Sequence, residues 1–238
     1  MLMADLAQEI KAQLRKAARK CSEKELAFVE NYLGTKRSFI CVKAADRNKV
    51  INNAIKEFRK LDPDSAIDTL NNLFKSNTFE DINIAGKLLT KLPLARRFLK
   101  FNQLEIWLEE TSGWAECDSI CQSLYSEEEV LGKWSKWQEM IRKFSDAKNI
   151  QLRRASLVLQ VKPIRESNDE RLTKLAFETI EKLKGEKEVL ITKAISWLLR
   201  ALSIQNRDDV LQYLRKNQAS LPKIAYRETI KKITTGKK

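Results

Sequence analysis

The sequence predicts an all-α protein, a superhelical stack of short helix pairs. Three observations predict it. Apolar residues recur at helical spacing almost throughout, and no stretch alternates as a half-buried strand does. Glycine and proline are scarce, at six and four. The punctuation between periodic segments is that of helix starts.

The elements follow in order. Periodicity predicts a first helix over 3–19. Ser22-Glu23-Lys24-Glu25 is a capping box and opens a helix over 22–34. Lys36 to Ala45 is the longest stretch without helical signal; its Phe39, Ile40 and Val42 predict that it packs down. A helix over 46–60 is followed by Asp62-Pro63, a cap before a proline at the first helical position, which opens 63–75. Thr78 with Asp81 is expected to cap 79–91, and Pro93 separates it from 93–100. Helices over 102–112 and 114–125 come next. Ser126 with Glu129 opens 127–144, and 149–161 ends before Pro163. The last four are 168–184, 187–203, 207–217, capped by Asn206 with Asp209, and 222–234, after Pro222. Short loops predict antiparallel hairpins. No linker rich in Gly, Ser or Pro interrupts the pattern, so one domain over 1–238 is expected, with Thr234 to Lys238 a frayed tail.

A faint internal echo supports a solenoid. Ile82-Asn83-Ile84-Ala85 with Leu88 and Leu89 matches Leu152-Arg153-Arg154-Ala155 with Val158 and Leu159. It also matches Ile191-Thr192-Lys193-Ala194 with Trp197 and Leu198. The alanines stand 70 and then 39 residues apart, which suits HEAT-like repeats of about 40 residues with one skipped. Stacked pairs of this kind generate a concave, here basic, groove.

Composition narrows the chemistry. The net charge of +13 is spread along the chain and favours a polyanionic partner, most simply nucleic acid. Solvated basic faces are the plainer reading. Histidine is absent, which excludes His-based triads, His metal ligands and His-Cys zinc sites. The four cysteines, Cys21, Cys41, Cys117 and Cys121, form no C-x-x-C pair, so neither a zinc nor a redox motif is supported. Reduced thiols in a cytoplasmic protein are expected. No apolar run approaches membrane-spanning length, and the N-terminus lacks a signal-peptide core. No cofactor or metal is expected.

The stretch Ser112 to Ile120, S-G-W-A-E-C-D-S-I, centres the site. Trp114 and Asp118 are four residues apart, which puts an aromatic plate and a carboxylate on one helix face. Leu152-Arg153-Arg154-Ala155 and Lys193-Ala194-Ile195-Ser196-Trp197 are grouped with it, which suggests one site of Trp114, Asp118, Arg154 and Trp197. Each has a plainer reading: core packing for the tryptophans, an ion pair for Asp118, a solvated face for Arg154 and for its neighbour Arg153.

These residues resemble the AlkD-like family of bacterial DNA alkylation repair glycosylases over nearly the whole chain. Tyr32, then Phe39-Ile40-Cys41-Val42 and Asp46-Arg47, resembles the family's Y…F-L-G-V…P-x-R signature. Trp114 with Asp118-Ser119-Ile120 resembles its W-x-x-x-D-S motif, and Gln151-Leu152-Arg153-Arg154-Ala155 its W-L-x-R-A-A helix. Lys193 to Arg200 resembles its K-A-I-G-W-x-L-R helix, and Arg227-Glu228 with Ile230 and Ile233 its final helix. Cys41 and Ser196 stand where the family has Gly, Ala45 where it has Pro, and Gln151 where it has an aromatic.

The resemblance implies HEAT-like repeats and hydrolysis of the N-glycosidic bond of N3-methyladenine or N7-methylguanine in duplex DNA; a monomer is expected. A purine alkylated there is cationic and already a good leaving group, so the lack of histidine is no obstacle. Positive charge builds on the sugar as the bond breaks. Asp118 would stabilise that charge and orient the attacking water. Trp114 and Trp197 would lay their rings against the sugar, and Arg154 would hold a phosphate. Tyr32 would place its hydroxyl near the same backbone, or serve as buried scaffold. Lys193, Arg200 and Lys148 are expected to contact phosphates, with Lys87, Lys91, Arg96, Arg97, Lys231 and Lys232. The alternative is a non-catalytic nucleic-acid-binding HEAT protein; a protein-interaction scaffold would explain the fold but not the charge.

Overall fold

Helix starts are built from side chains that take up orphaned backbone amides. The computed structural model describes residues 6–237, and all regular structure among them is helical. The chain forms two compact units, one ending at Ile120 and one beginning at Cys121.

The first unit holds α1 (Leu6–Lys16), α2 (Glu23–Phe28) with a π-helical turn Val29–Leu33, and α3 (Ala44–Phe58). It continues with α4 (Pro63–Phe74), α5 (Phe79–Lys91), α6 (Pro93–Phe98), α7 (Phe101–Glu109) and α8 (Gly113–Cys121). Helix α5 is its axis. It is buried nearly all round, from Phe79 to Gly86 and again at Leu88 and Leu89, and α1, α3, α4 and α6 pack on it. A helix without a wet face must bury its polar groups in partnerships. Glu80 accepts the amides of Ile40 (3.2 Å) and Val42 (3.4 Å), and Asp81 accepts the Ser76 hydroxyl at 2.6 Å. The Lys36–Ala45 stretch is therefore pinned to α5, as its apolar residues predict. Ser38 bridges to Thr78, and Phe39 meets Phe79 edge-on.

The second unit holds α9 (Glu127–Leu131), α10 (Trp134–Ser145), α11 (Ile150–Val158) and α12 (Val161–Glu166). It ends with α13 (Glu170–Leu183), α14 (Val189–Gln205), α15 (Arg207–Asn217) and α16 (Lys223–Thr235). Here α14 is the axis, with α11, α12, α13, α15 and α16 against it. The three echo alanines, Ala85, Ala155 and Ala194, are all buried, on α5, α11 and α14. The small residue sits on the helices that the others pack against.

Several expectations need correction. The helix expected over 127–144 breaks at Gly132 and Lys133, where Lys133 leaves helical geometry (φ −126°, ψ 31°). The helix expected over 149–161 stops at Val158. Pro163 lies inside α12, in the first turn, where no intrahelical amide is needed. Ser22, Asp62 and Ser126 cap as expected. Thr78 and Asn206 do not. Thr78 is drawn into the bridge with Ser38, and Asp81 turns to Ser76 and, at 3.5 Å, to Arg15. Cys21 and Cys41, expected as thiols, form a disulfide with Cα atoms 5.5 Å apart. Cys117 and Cys121 are buried thiols. The expected start of α1 at residue 3 and Lys238 of the tail lie outside the described residues.

Candidate functional site

The nine residues from Ser112 to Ile120 build the centre of the site, and the backbone before them decides its geometry. Gly113 has φ +69° and faces Gly34, with φ +74°. A Cβ on Gly113 would lie 2.0 Å from the Leu33 carbonyl oxygen and 2.7 Å from the Gly34 carbonyl carbon. Only glycine fits there, both for the left-handed backbone and for the contact. The end of the π-turn thus lies against the start of α8.

Glu116 locks this junction. It is fully buried and accepts the Ser112 amide at 2.8 Å, the Thr35 hydroxyl at 2.5 Å and Arg37 Nε at 3.1 Å. Arg37 also donates to the carbonyls of Ser76 (2.8 Å) and Glu110. A buried carboxylate is tolerable only when its lone pairs are filled in this way. The sequence shows Glu116 as one acidic residue among 32, and nothing local marks it.

With the junction locked, Trp114 is aimed. Its indole Nε1 donates to the Tyr32 carbonyl at 2.6 Å, and its ring meets Tyr32 edge-on at 5.5 Å. Tyr32 is 54% exposed, so the buried-scaffold reading is wrong. Asp118 follows one turn later on α8 and is 6% exposed. Behind it, Gly86 of α5 admits Ser119: a Cβ on Gly86 would sit 2.5 Å from Ser119 Oγ and 2.7 Å from its backbone carbonyl carbon. Tyr32 and Trp114 are therefore brought together within the first unit, with Asp118 four residues further along α8.

In the second unit, Arg154 lies on α11, 4% exposed, with Nη1 donating to the Leu190 carbonyl at 2.5 Å. This is not a solvated face. Nor is Arg153 solvated. It pairs with Glu186 at 2.7 Å and donates to the carbonyls of Ala147 (3.0 Å) and Lys148 (2.7 Å), so it staples the turn before α11. That turn leaves the Lys148 residue exposed. On α14, Lys193, Trp197 and Arg200 recur at intervals of four and three and share one face. Lys193 is exposed; Trp197 and Arg200 are half-buried. Arg200 Nε donates to the Ser196 carbonyl at 3.1 Å. Burial holds its pKa below the usual arginine value, with Glu228 opposing and Arg165 adding to the shift.

Other phosphate candidates divide. Arg96 donates to the Thr90 carbonyl at 2.6 Å and Lys232 to the Gly236 carbonyl at 2.8 Å, so both close helix ends. Lys91, Arg97 and Lys231 are exposed. Lys87 is half-buried, and its pKa is lowered by burial, then by Arg47 and Lys91. A cleft between α13 and α15, lined by Phe177, Asn206 and Tyr213 among others, includes none of the candidate residues. Among the described residues no group of three or more Cys, Asp and Glu is placed to hold a metal ion. No described helix is long and apolar enough to cross a membrane.

Cys41 is the one non-glycine residue with positive φ (+56°) among the described residues. It stands where the AlkD-like signature has glycine, and the left-handed backbone explains that preference.

Residues 10–233 match the family model described as DNA alkylation repair enzyme. The chain belongs to this family. Membership supports a role in DNA repair. A solved structure described as a predicted DNA alkylation repair enzyme from Enterococcus faecalis shares the fold. Its TM-score is 0.74 at 18% identity, over 92% of this chain and 99% of that one. No curated protein matches. This member of the DNA alkylation repair family keeps every residue of the W-x-x-x-D-S pattern, at Trp114, Asp118 and Ser119.

Proposed function

We propose that this protein is a DNA glycosylase that hydrolyses the N-glycosidic bond of cationic alkylated purines, N3-methyladenine and N7-methylguanine, in duplex DNA. The observation that carries the reading is the pairing on α8 of a tryptophan held by its indole N–H and a nearly buried carboxylate one turn on.

The substrate needs little help to leave. Alkylation at N3 or N7 makes the purine cationic, so it departs as a neutral base without a general acid. The barrier lies in charge building on the deoxyribose as the bond stretches. A carboxylate fixed away from bulk water stabilises that charge more than a solvated one, because the local dielectric is low and no reorganisation is needed. In this reading Asp118 faces the sugar and orients the water that completes the hydrolysis. Trp114 offers a polarisable ring face to the same cation, and Trp197 of α14 offers a ring face to bound DNA. Arg154 holds a backbone phosphate, and Lys148, Lys193 and Arg200 add contacts to the phosphodiester chain without reading sequence. The absence of histidine agrees with this scheme, since no step asks for a group that titrates near neutrality.

The test is release of 7-methylguanine from methylated duplex DNA by wild type and Asp118→Asn side by side. Wild type is expected to release it. Asp118→Asn is expected to lose activity by about a hundredfold or more, with DNA binding retained. Equal rates would remove Asp118 from the chemistry. No release by a wild type that binds DNA would leave a non-catalytic binding protein.

A further inference from the structure

Lys24, Phe28 and Tyr32 recur at intervals of four across α2 and the π-turn, and all three are exposed. Phe28 and Tyr32 are stacked, with centroids 4.9 Å apart and planes 26° apart. Tyr32 in turn meets Trp114, and its carbonyl takes the Trp114 indole N–H. The three rings form a ladder that begins beside the Asp118 helix and ends at Phe28, 53% exposed. Single exposed apolar residues are ordinary. An exposed ring stacked on a second exposed ring, in line with a third that is hydrogen-bonded into place, is not. Exposed Asn31 and half-buried Glu25 border Phe28 on either side of the helix face, so the apolar strip is one ring wide. That is too narrow for a protein interface, which needs hundreds of square ångströms a side. It matches the face of one nucleobase.

We infer that Phe28 is the outer stacking plate for the unpaired base opposite the lesion, with Lys24 beside that nucleotide's phosphate. The inference rests on the glycosylase reading: removing a purine leaves its partner without a pair, and an unpaired base is the cheapest to unstack. Every base has a π-face, so such a plate tolerates any sequence. It would retain the enzyme on the abasic product.

The test uses the full chain and a duplex carrying a tetrahydrofuran abasic analogue opposite 2-aminopurine, with an intact duplex as control. Wild type is expected to bind the abasic duplex and quench the 2-aminopurine emission. Phe28→Ala should weaken that binding about tenfold, abolish the quenching and leave the intact duplex unaffected. Phe28→Trp should restore both. The Phe28 side chain is exposed, so unchanged far-ultraviolet circular dichroism is expected for each variant. Wild-type affinity in Phe28→Ala overturns the inference, as does an equal loss on both duplexes. Full retention by Phe28→Leu also overturns it, since bulk alone would then suffice. Quenching that depends on Phe28 in a protein that releases no 7-methylguanine would remove the glycosylase and keep the plate. A wild type that binds neither duplex would remove both.

Discussion

Helices α8 and α14 carry candidate residues of the first and second units, and they are held in opposite ways. Helix α14 is 17 residues long, and its candidate face is a consequence of helical period alone. Helix α8 has nine residues. Its orientation depends on backbone conformations and contacts far away in sequence: Gly34 against Gly113, Thr35 and Arg37 on Glu116, Gly86 against Ser119. A long regular helix spreads its positioning over many small contacts. A short one concentrates it in a few residues that admit no substitute.

The sharpest way to break that comparison is at glycine. Gly113→Ala must place a methyl within 2.0 Å of the Leu33 oxygen, on a backbone at φ +69°. The expected cost is about 3–5 kcal/mol. That is a fall of roughly 10 °C in Tm for a chain of this size, with the proposed release of 7-methylguanine lost in the folded remainder. Gly185, in the second unit, has nothing within 4 Å of the place a Cβ would take, and its φ is not positive. Gly185→Ala should change stability by less than about 1 kcal/mol and in the stabilising direction. Differential scanning calorimetry on the two variants decides it. Similar losses in both would mean that α8 is no more dependent on its backbone than the turn after α13.

What the sequence made legible follows the same division. The resemblance to the K-A-I-G-W-x-L-R helix pointed to Lys193, Trp197 and Arg200; that they share a face, and that the fold is all-helical, could be read from spacing, because period is a local property. Trp114 and Asp118 were legible as neighbours for that reason too. What holds them was not. Glu116 looks like any surface acid until Thr35 and Arg37, some 80 residues earlier, fold onto it. Arg153 resembled a solvated cation because its partner, Glu186, is 33 residues away. The failed caps have a related origin. Thr78 and Asp81 satisfy the local capping pattern, but tertiary partners claim both. One long-range feature did leave a trace. Cys41 in place of the signature glycine marks the left-handed position, though not its disulfide with Cys21.

A smaller effect tests how the first unit is pinned. Glu80 is buried on α5, and burial, its largest influence, raises its pKa above the usual carboxylate range; the amides of Ile40 and Val42 and the charge of Arg47 oppose the rise. A carboxyl with a raised folded-state pKa binds more protons folded than unfolded between the two values. Its contribution is therefore full at low pH and is lost as pH rises through the folded pKa. Chemical denaturation against pH should show this downward slope beginning at the ordinary carboxylate range. Glu80→Gln should flatten it and keep one amide acceptor. An unchanged slope in the variant would assign the pH dependence to other groups.

The smallest expected effect belongs to α14, and it completes the contrast. Lys193 is exposed on α14. If its charge serves only to neutralise a phosphate, Lys193→Ala should leave stability within about 0.5 kcal/mol of wild type. It should lower the slope of log binding constant against log salt by about one. The loss should be the same for damaged and undamaged duplexes, because a phosphate contact carries no information about the base. Loss confined to the damaged duplex would give Lys193 a role at the lesion itself. Lys193 would then act at the damaged nucleotide, and its assignment as a phosphate contact alone would fail.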